Sequence, residues 1–523
     1  MKKGIICFVI LMSALFVRID AFAMEIETRV VNGVSFEEYI VDHLKRRETR
    51  INVFSYGIGT EECGDLYRKV LYKHPELYYV LGNCPYVPKM DYTFDLSTGS
   101  LEVVQEDVVD YISPRYLDYG QTDEEWVFEQ MDKPLAFIDE DMTDMEKALF
   151  IHDYMCINLV YGERNTDVPE YHNIMGYILE GKAVCEGYAK VFQYYMNKLG
   201  IPSRIMLGDV EEGYHAWNEV QIDRQWYMVD VTHDDPIPDE YGRVMHTHFL
   251  KSETGIGDRT WEKEGYQPCT STKYDDAFWD NVETQMIYRD GSWYYINGND
   301  EEDMNLYRHD FVKHSLTEKG DVCVELTDKW MNYAKMNSYW IGSYGKIAQY
   351  EDNLLYSTPT RIFQYSFDDK RTKCIIRETV KNQSIYGMRV TGDYLLYQVG
   401  EAPDSEQQEI AISMKQLPLS VGTVVKDEES KAFYQVVCGN RLGGTVLYKK
   451  SLKCNAASVV VPESISIDGR DYRVIGIAKK AFANQKKRFI VTLPSTIKSE
   501  MEHQRKRHYL IKTIGAGYEI TRN

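Results

Sequence analysis

The segment GKAVCEGYAKVFQYYMNKLGIPSR, residues 181–204, carries the pattern on which the interpretation of the whole chain rests. After Cys185 its apolar residues recur at helical spacing, which predicts an amphipathic helix that begins at this cysteine. Gly200 stands where a helix commonly ends in a left-handed residue, and Pro202 blocks continuation of the helix. Cys185 is therefore predicted at a helix N-terminus, where the helix dipole and unpaired amides favour thiolate over thiol.

Two residues that could act with this cysteine lie on a predicted hairpin. The chain from 214 to 232 alternates between apolar and polar residues on either side of a turn at 223–224. A two-residue turn at this point places Thr232 opposite His215. It also places His215 diagonally across from Asp230, about 5–8 Å away at Cβ. A carboxylate at that distance can orient an imidazole, and a cysteine docked against the same face would complete a Cys-His-Asp relay.

Four motifs give the chain a resemblance to a known family: GKAVCEGYA (181–189), LGIPSR (199–204), HAWNEV (215–220) and WYMVDVT (226–232). Their order and spacing resemble the motifs of the transglutaminase-like superfamily, over roughly residues 140–250. The resemblance implies that Cys185 is the nucleophile, His215 the base and Asp230 the residue that orients the base. In many relatives an aromatic residue follows the last motif, whereas this chain has His233.

These features predict a multidomain chain. Its core is expected to be an α+β fold of the papain-like or transglutaminase-like type, with Cys at a helix N-terminus and His and Asp on an antiparallel sheet. An all-β repeat domain and a short leucine-rich-repeat-like segment are expected to follow. The predicted divisions are a signal peptide (1–23), an N-terminal α+β region (24–135), a transglutaminase-like catalytic domain (136–265), an all-β propeller-like repeat domain (276–425) and a BspA-like leucine-rich repeat segment (430–523).

The start of the chain has the features of a secretory signal. Lys2 and Lys3 precede an apolar run from Ile5 to Val17, and Ala21-Phe22-Ala23 has the pattern of a cleavage site. The run is short for a membrane span, and no second apolar stretch is long enough to cross a bilayer. We therefore predict an exported protein, secreted or at the cell surface, without a transmembrane span.

The composition argues against some classes of partner. The chain has 81 acidic and 60 basic residues and a formal net charge of −21, so it should repel nucleic acid and anionic lipid surfaces. Hydrophobic residues make up 44% of the chain, which predicts several packed cores rather than a disordered protein. We predict no nucleic-acid partner and no cofactor.

Residues 24–135 are predicted to mix helices with strands. Ser35 and Glu38 have capping-box spacing at the start of one helix, and residues 63–73 are predicted as a second helix. The run Leu77–Val80 is predicted as a strand. The region could cover the active site, although an ordinary packing layer is the interpretation we favour.

Two cysteines of this region flank the second helix and the strand that follows it. Cys63 and Cys84 could form a disulfide in an exported protein. The pairing of cysteines cannot be deduced from the sequence, and a mostly reduced chain is the alternative.

Three further residues are predicted near the cleft. Trp217 shares the sheet face of His215 and could shield a thioester from water, with core packing as an equal alternative. Tyr171 and His172 lie near the cleft by chain position. For these two, helix capping or packing is favoured over contact with the substrate.

Two histidine-rich segments raise the question of a metal site. They are 233–235 and 246–248, and histidines two residues apart on a strand share a face. No further ligands follow at a recognisable spacing, so we predict no metal. The cluster is expected to shape the rim of the cleft.

The second half of the chain has the pattern of short strands. From about residue 276, aromatic-rich strand pairs recur at intervals of about 40–60 residues, which suggests propeller blades or a related repeat. Near the C-terminus, Val459–Ile465 is followed by the similar segment Ile490–Ile497, with an aliphatic ladder between them. These segments resemble BspA-like leucine-rich repeats. The repeats are expected to bind a surface protein or a glycan, or to dock onto the rest of the chain.

The resemblance and the three site residues together predict an exported thiol enzyme that forms a Cys thioester with a peptide or carboxamide substrate. Water as the acceptor makes it a cysteine protease or amidase, and a lysine amine makes it a cross-linking transglutaminase. We favour hydrolysis, because no feature that selects an amine is visible. The alternative from another class is a non-catalytic surface binding or adhesion protein that uses the repeats.

Overall fold

The computed structural model describes most of the chain: residues 29–119, 124–162, 168–261, 263, 266–297, 309–314, 321–326, 328–333, 335, 338, 340, 344–367, 370–378, 382–416, 419, 422–440, 443–467, 470–478, 481–485, 488–494, 497, 509–514 and 517–522. The predicted signal peptide, residues 1–23, lies outside these residues. Backbone contacts divide the chain into two compact units. The first extends to Asp239 and includes Val244–Val282, and the second consists of Glu240–Arg243 and the chain from Glu283 onward.

The first unit mixes helices and strands. Its helices are α1 (Phe36–Lys45), α2 (Cys63–Lys73), α3 (Glu124–Asp132), α4 (Asp144–Asn158), α5 (Ile174–Glu180), α6 (Cys185–Leu199) and α7 (Val231–Asp234). Its strands are β1 (Val30–Val31), β2 (Val34–Ser35), β3 (Ile51–Asn52), β4 (Tyr86–Asp95), β5 (Ser100–Ile112), β6 (Val160–Tyr161), β7 (Lys182–Ala183), β8 (Ser203–Val210), β9 (Gly213–Ile222), β10 (Gln225–Val229) and β11 (Thr260–Trp261).

The predicted hairpin is strands β9 and β10 of a four-stranded sheet with the order β10-β9-β8-β11. Gln225 pairs with Ile222, which confirms the predicted register. The turn residues Asp223 and Arg224 both have positive φ, at 53° and 65°. This conformation matches the right-handed twist of the two strands without a glycine.

The second hairpin strand is shorter than predicted. β10 ends at Val229, and Asp230 caps the short helix α7, with its side chain accepting a hydrogen bond from the His233 N–H. Thr232 lies within this helix, so the prediction that it continues the strand opposite His215 was wrong. Asp is a preferred N-cap residue, and its capping bond competes with continued strand pairing.

The predicted helix boundaries that rested on caps are confirmed. Ser35 and Glu38 form a reciprocal capping box at the start of α1. Helix α6 begins at Cys185 and ends at Gly200, which has φ 70° and therefore needs the freedom of a glycine. This helix packs on β8 and β9.

The N-terminal part of the unit differs from the prediction in its strands. Residues 77–80 form turns with one isolated bridge between Val80 and Tyr116, so the predicted strand at Leu77–Val80 was wrong. Their side chains are buried, so this apolar run contributes to a hydrophobic core without forming a paired β-strand. The hairpin of β4 and β5 was not predicted. Strand β5 also pairs with β3, so the three strands form one sheet.

The second unit contains strands without long helices among its described residues. Its strands are β12 (Ile287–Arg289), β13 (Ser292–Ile296), β14 (His309–His314), β15 (Asp321–Leu326), β16 (Ile347–Tyr350), β17 (Asn353–Thr358), β18 (Arg361–Ser366), β19 (Arg371–Arg377), β20 (Ser384–Thr391), β21 (Tyr394–Gly400), β22 (Gln408–Ser413), β23 (Val424–Asp427), β24 (Ala432–Asn440), β25 (Gly443–Ser451), β26 (Ser458–Val460), β27 (Ser464–Ile467), β28 (Arg470–Ile477), β29 (Arg488–Thr492), β30 (Tyr509–Ile514) and β31 (Gly517–Arg522).

Three antiparallel sheets follow one another in this unit: β12 to β15, β16 to β19, and β20 to β22. The middle sheet has a core on each face. Leu354 belongs to a core with Tyr294 of the first sheet, and the next residue, Leu355, belongs to a core with Leu395 of the third. A propeller remains a prediction for this stack of sheets.

The C-terminal sheets contain the two similar segments of the sequence. Strand β26 pairs in parallel with β29, and the pairs are Val459 with Val491 and Val460 with Thr492. These are the residues that become equivalent when Val461-Pro462 is aligned with Leu493-Pro494. A leucine-rich repeat remains a prediction. Across the described part of the whole chain, no helix is both long and apolar enough for a membrane crossing.

We expect Cys63 and Cys84 to form a disulfide under oxidising conditions, because their Sγ atoms lie 4.0 Å apart. Oxidised glutathione would accept the two electrons and two protons that the thiols lose. Closing this loop of about 20 residues should raise the free energy of unfolding by about 3 kcal/mol. Peptide mass mapping and thermal unfolding, before and after oxidation, check the bond and its effect.

Cys84→Ser should abolish the change, and Cys454→Ser, at an exposed cysteine of the second unit, should not. The prediction fails if both residues stay open to alkylation after oxidation.

Candidate active site

Helix α6 places Cys185 at the point where the chain turns from a short loop into a helix. Cys185 is the first residue of the helix and is partly buried. The preceding Val184 donates its N–H to the Tyr171 carbonyl at 2.9 Å. A Cβ atom on Gly187 would lie 2.2 Å from that same carbonyl, so only glycine allows the helix to approach so closely.

The environment of the Cys185 thiol favours its protonated form. The pKa of Cys185 is raised to about 11, mainly by burial; the N–H groups of Ala216 and Glu186 lower it, and the carboxylates of Glu186 and Asp230 raise it. The expectation of a lowered pKa at the helix N-terminus was therefore wrong. The backbone amides do stabilise a thiolate at this position, but the loss of hydration on burial destabilises it by more.

His215 and Asp230 form a buried pair. The Nε2 of His215 lies 2.9 Å from Oδ2 of Asp230. A carboxylate can only accept, so Nε2 is the donor in this contact. Ala216, the residue after His215, directs its N–H at the Cys185 thiol, so the strand β9 brings the cysteine and the histidine into one neighbourhood.

Asp230 has two further donors on the same oxygen. His233 Nδ1 lies 2.7 Å and Arg259 Nη1 lies 2.9 Å from Oδ2. Burial alone would raise the pKa of Asp230, but the His215 and His233 imidazoles outweigh it and hold the pKa well below its usual range. The carboxylate is therefore ionised and shared among two imidazoles and one guanidinium.

The rings around Asp230 are stacked. The His215 and His233 ring centres lie 4.5 Å apart, at an angle of 30°. Arg259 lies over the Trp217 ring, 5.0 Å from its centre, and the Arg259 side chain is only 3% exposed. Trp217 itself is buried and lies beside His215, with ring centres 6.0 Å apart. It packs between the site and the core of the sheet.

The other two residues predicted near the cleft lie before helix α6. Tyr171 is buried, and its hydroxyl donates to Glu180 at 2.7 Å. His172 is exposed and lies 2.9 Å from the Glu186 carboxylate, measured from its Nδ1. The structure thus brings His172, and not the ring of Tyr171, to the surface beside the first turn of α6.

A second group of histidines and aspartates lies behind the site. His152 Nδ1 lies 2.9 Å from Asp153, and its Nε2 lies 3.1 Å from Asp234. His246 Nε2 lies 3.0 Å from Asp153, and its Nδ1 donates to the Val282 carbonyl at 2.8 Å. All four side chains are buried, and so is Asp235, so the prediction that this cluster shapes the rim of the cleft was wrong for Asp234, Asp235 and His246.

Both clusters contain three residues whose ligand-type atoms lie within 4.8 Å of one another: His152, Asp153 and His246 in one, and His215, Asp230 and His233 in the other. Such groups could hold a metal ion. As they stand, each imidazole directs a ring nitrogen at a carboxylate oxygen within hydrogen-bond distance. The absence of a metal remains a prediction.

Two contacts to the site were not found from the sequence. Arg259 follows Asp230 by 29 residues, in a stretch without a motif. Asp153, which belongs to the second group of histidines and aspartates, lies in the middle of helix α4. A lone acidic residue at such a position is usually exposed to solvent. Besides His215, which was predicted, His233 is the residue around Asp230 that stands out in the sequence, because it stands where many relatives have an aromatic residue.

Replacing His152 with Gln should remove part of the pH dependence of unfolding. Burial would lower the pKa of His152, but Asp153 and Asp234 raise it to about 9, from an ordinary 6.5. The charged ring therefore stabilises the fold fully below about pH 6.5, and this contribution is lost as the pH rises through about 9. At ~1.4 kcal/mol per pH unit, the loss amounts to a few kcal/mol.

Thermal unfolding from pH 5.5 to 9.5 measures this effect. The midpoint of the wild type should fall across the alkaline half of that range, and the profile of His152→Gln should be flatter. Asp234→Asn is the matched variant, because it removes the negative charge on the other side of the ring. Parallel profiles for all three proteins would show that the network does not hold this proton.

The comparisons with known proteins point to one part of this unit. No curated protein matches the chain. A transglutaminase (TGase) crystal structure is 14% identical, over 28% of this chain and 44% of that one, with a TM-score of 0.19. The chain thus spans less than half the length of that structure.

Two other solved structures are similarly distant. A putative cysteine protease from Cytophaga hutchinsonii is 16% identical, over 31% of this chain and 68% of that one, with a TM-score of 0.19. The periplasmic domain of TgpA from Pseudomonas aeruginosa is 16% identical, over 28% and 68%, with a TM-score of 0.13. The model of the transglutaminase-like superfamily matches residues 135–231. Residues 135–231 therefore carry a transglutaminase-like domain, and this segment includes Cys185, His215 and Asp230.

Proposed function

We propose that the protein is an exported thiol enzyme that hydrolyses a peptide or carboxamide bond through a thioester on Cys185. The observation that carries this proposal is the buried His215–Asp230 pair at 2.9 Å, on the strand whose Ala216 N–H reaches the Cys185 thiol. An imidazole held by a carboxylate beside a thiol has the parts that covalent acyl transfer needs. The transglutaminase-like match over residues 135–231 supports the same reading.

The proton transfers follow from the protonation states. Because burial raises the pKa of Cys185 to about 11, the sulfur is protonated at rest and its attack requires a base. His215 Nδ1 takes the thiol proton as the sulfur attacks the carbonyl carbon. The same proton then passes to the nitrogen of the leaving amine as the C–N bond breaks. Asp230 holds the ring in the tautomer that this requires.

The second half of the reaction returns the enzyme to its starting state. A water molecule gives a proton to His215 and attacks the thioester carbon, and the C–S bond then breaks with return of the proton to sulfur. During both steps the carbonyl oxygen carries negative charge. The backbone N–H of Cys185, at the start of α6, is the natural donor to that oxygen, and such a contact lowers the barrier by about 2–4 kcal/mol.

The nature of the acceptor distinguishes hydrolysis from cross-linking. Water is the acceptor by default, and the two carboxylates that act on the Cys185 thiol, Asp230 and Glu186, are both held by cations or imidazoles and not open to a lysine amine. The propeller-like and leucine-rich-repeat-like parts would supply contacts to a surface protein or a glycan. Export rests on the signal-like N-terminus.

Cys185→Ala should abolish release of peptides from casein and incorporation of a fluorescent amine into it. In the wild type we expect new N-termini without amine incorporation. Amine incorporation alone would identify the protein as a cross-linking enzyme. If neither activity appears and Cys185→Ala keeps its affinity for surface glycans or proteins, the protein is a binding protein with an inert site.

The contacts of Asp230 predict an order of severity among variants. Asp230→Asn should lower kcat/KM by roughly 10³- to 10⁴-fold, because the amide no longer fixes the His215 tautomer. His233→Phe keeps a ring against His215 and leaves Arg259 on the carboxylate, so its loss should stay below about tenfold. Asp42→Asn, at an exposed carboxylate of α1, is the control for the substitution itself.

Rates are measured over pH 5–10 on proteins with matched circular dichroism spectra. Equal losses for Asp230→Asn and His233→Phe would contradict the role of Asp230 as the partner of His215, and would point to the two imidazoles acting as a unit.

A further inference from the structure

A pocket of about 280 Å³ lies next to the first turn of helix α6. One wall is formed by the chain between Leu71 and Gly82 together with Leu117, all of which lie outside the part that matches the family model. The opposite wall includes Pro169, Glu186 and Lys190. The N-terminal region therefore does not cover this part of the molecule as a lid. It builds one side of an open recess.

The charged groups of the pocket are matched by one another. Glu186 accepts from Lys190 at 2.8 Å on one oxygen and meets His172 at 2.9 Å on the other. These contacts hold the pKa of Glu186 at about 2 in spite of burial. His74 lies between Glu37 and Glu76, at 2.8 Å and 2.9 Å. No charge of the pocket walls is left for a charged ligand to satisfy.

The walls offer a ligand both apolar and polar groups. The apolar lining residues are Leu71, Pro75, Leu77, Tyr78, Val80, Leu81, Leu117 and Pro169. The polar lining residues are His74, His172, Asn173, Glu186 and Lys190. A recess of this volume lies just below the range for sites that hold whole small molecules, roughly 300–1,000 Å³. It therefore suits one or two side chains rather than a large ligand.

The pocket and the Cys185 thiol lie on neighbouring faces of one helix turn. Glu186 follows Cys185 directly in the sequence. Tyr72, between two pocket residues of α2, packs against the small cluster of Ala189, Ile205 and Ala216, against which Cys185 also packs. Lys190 lies 5.3 Å from the centre of the Tyr72 ring, measured from Nζ. The same helix of the N-terminal region thus reaches both the pocket and the surroundings of the thiol.

We propose that this pocket binds an apolar side chain of the substrate, of leucine to phenylalanine size, beside the carbonyl that Cys185 attacks. This inference rests on the proposed function and adds its specificity. The N-terminal region then acts as the specificity-determining part of the enzyme. A charged side chain at that substrate position is disfavoured, because it would lose water without gaining a partner.

The test uses inactivators that react with Cys185, so it does not need a known substrate. The panel consists of N-acetyl dipeptide chloromethyl ketones with Gly at one position and Phe, Leu, Glu or Lys at the other. Iodoacetamide, which carries no side chain, is the reference. Second-order rates at Cys185 are read by mass spectrometry of the full-length protein after digestion. We expect the best Phe or Leu reagent to exceed the best Glu or Lys reagent by roughly tenfold or more.

Two variants of the pocket address its role directly. Leu81→Glu places a carboxylate at a partly exposed position of the wall, and it should shift the preference from Phe toward Lys. Gly82→Trp adds bulk where a Cβ meets nothing within 4 Å, and it should reduce the advantage of Phe over iodoacetamide. Leu96→Glu, which is 90% exposed, and Gly64→Trp, at an equally open glycine, are the matched controls and should keep the wild-type ratios.

The outcomes separate the two proposals. If Cys185 reacts with no reagent faster than the buried Cys156 does, the thiol is inert and the proposed function fails. If Cys185 reacts with iodoacetamide but shows equal rates across the peptide panel, the enzyme stands and the pocket proposal is overturned. Unchanged ratios in both Leu81→Glu and Gly82→Trp would also overturn it, and would place the preference elsewhere in the cleft.

Discussion

A carboxylate removed from water must be matched by donors, and this requirement governs the arrangement of the first unit. Asp230 is fully buried, and an unmatched charge there would cost several kcal/mol. Its donors come from three parts of the chain: His215 on β9, His233 on α7 and Arg259 just before β11. These contacts keep the carboxylate ionised, and they tie the strand, the short helix and the following segment together.

A second set of buried carboxylates in contact with imidazoles lies one helix turn away from Asp230. Asp234, at the end of α7, receives His152, and Asp153 of α4 receives both His152 and His246. The four-residue helix α7 thus carries one buried carboxylate at its N-cap and another at its last position. A helix of four residues is not stable through its own backbone hydrogen bonds, so these side-chain contacts stabilise it. Its length sets the spacing between the two buried carboxylates.

Local patterns predicted the parts of the site that depend on neighbours in sequence. The start of α6 at Cys185 and the register of β9 and β10 follow from periodicity, a terminal glycine and a two-residue turn. The end of strand β10 at Val229 could not be predicted from the sequence. Asp230 could either continue the strand pairing or cap a helix, and only its tertiary contacts decide between the two. Arg259 and the partners of Asp153 come from distant parts of the chain and leave no periodic trace. In the second unit, aligning Val461-Pro462 with Leu493-Pro494 in the sequence pairs the same residues that face each other in β26 and β29.

The close packing at Gly187 joins two parts of the molecule mechanically. The turn Pro169–His172 lines the pocket, and its Tyr171 carbonyl both accepts the Val184 N–H and lies against Gly187. With no side chain at Gly187, there is no compressible layer between this turn and the helix. The turn is therefore in direct contact with α6 two residues after Cys185, so a ligand that displaced the turn would also displace the start of this helix.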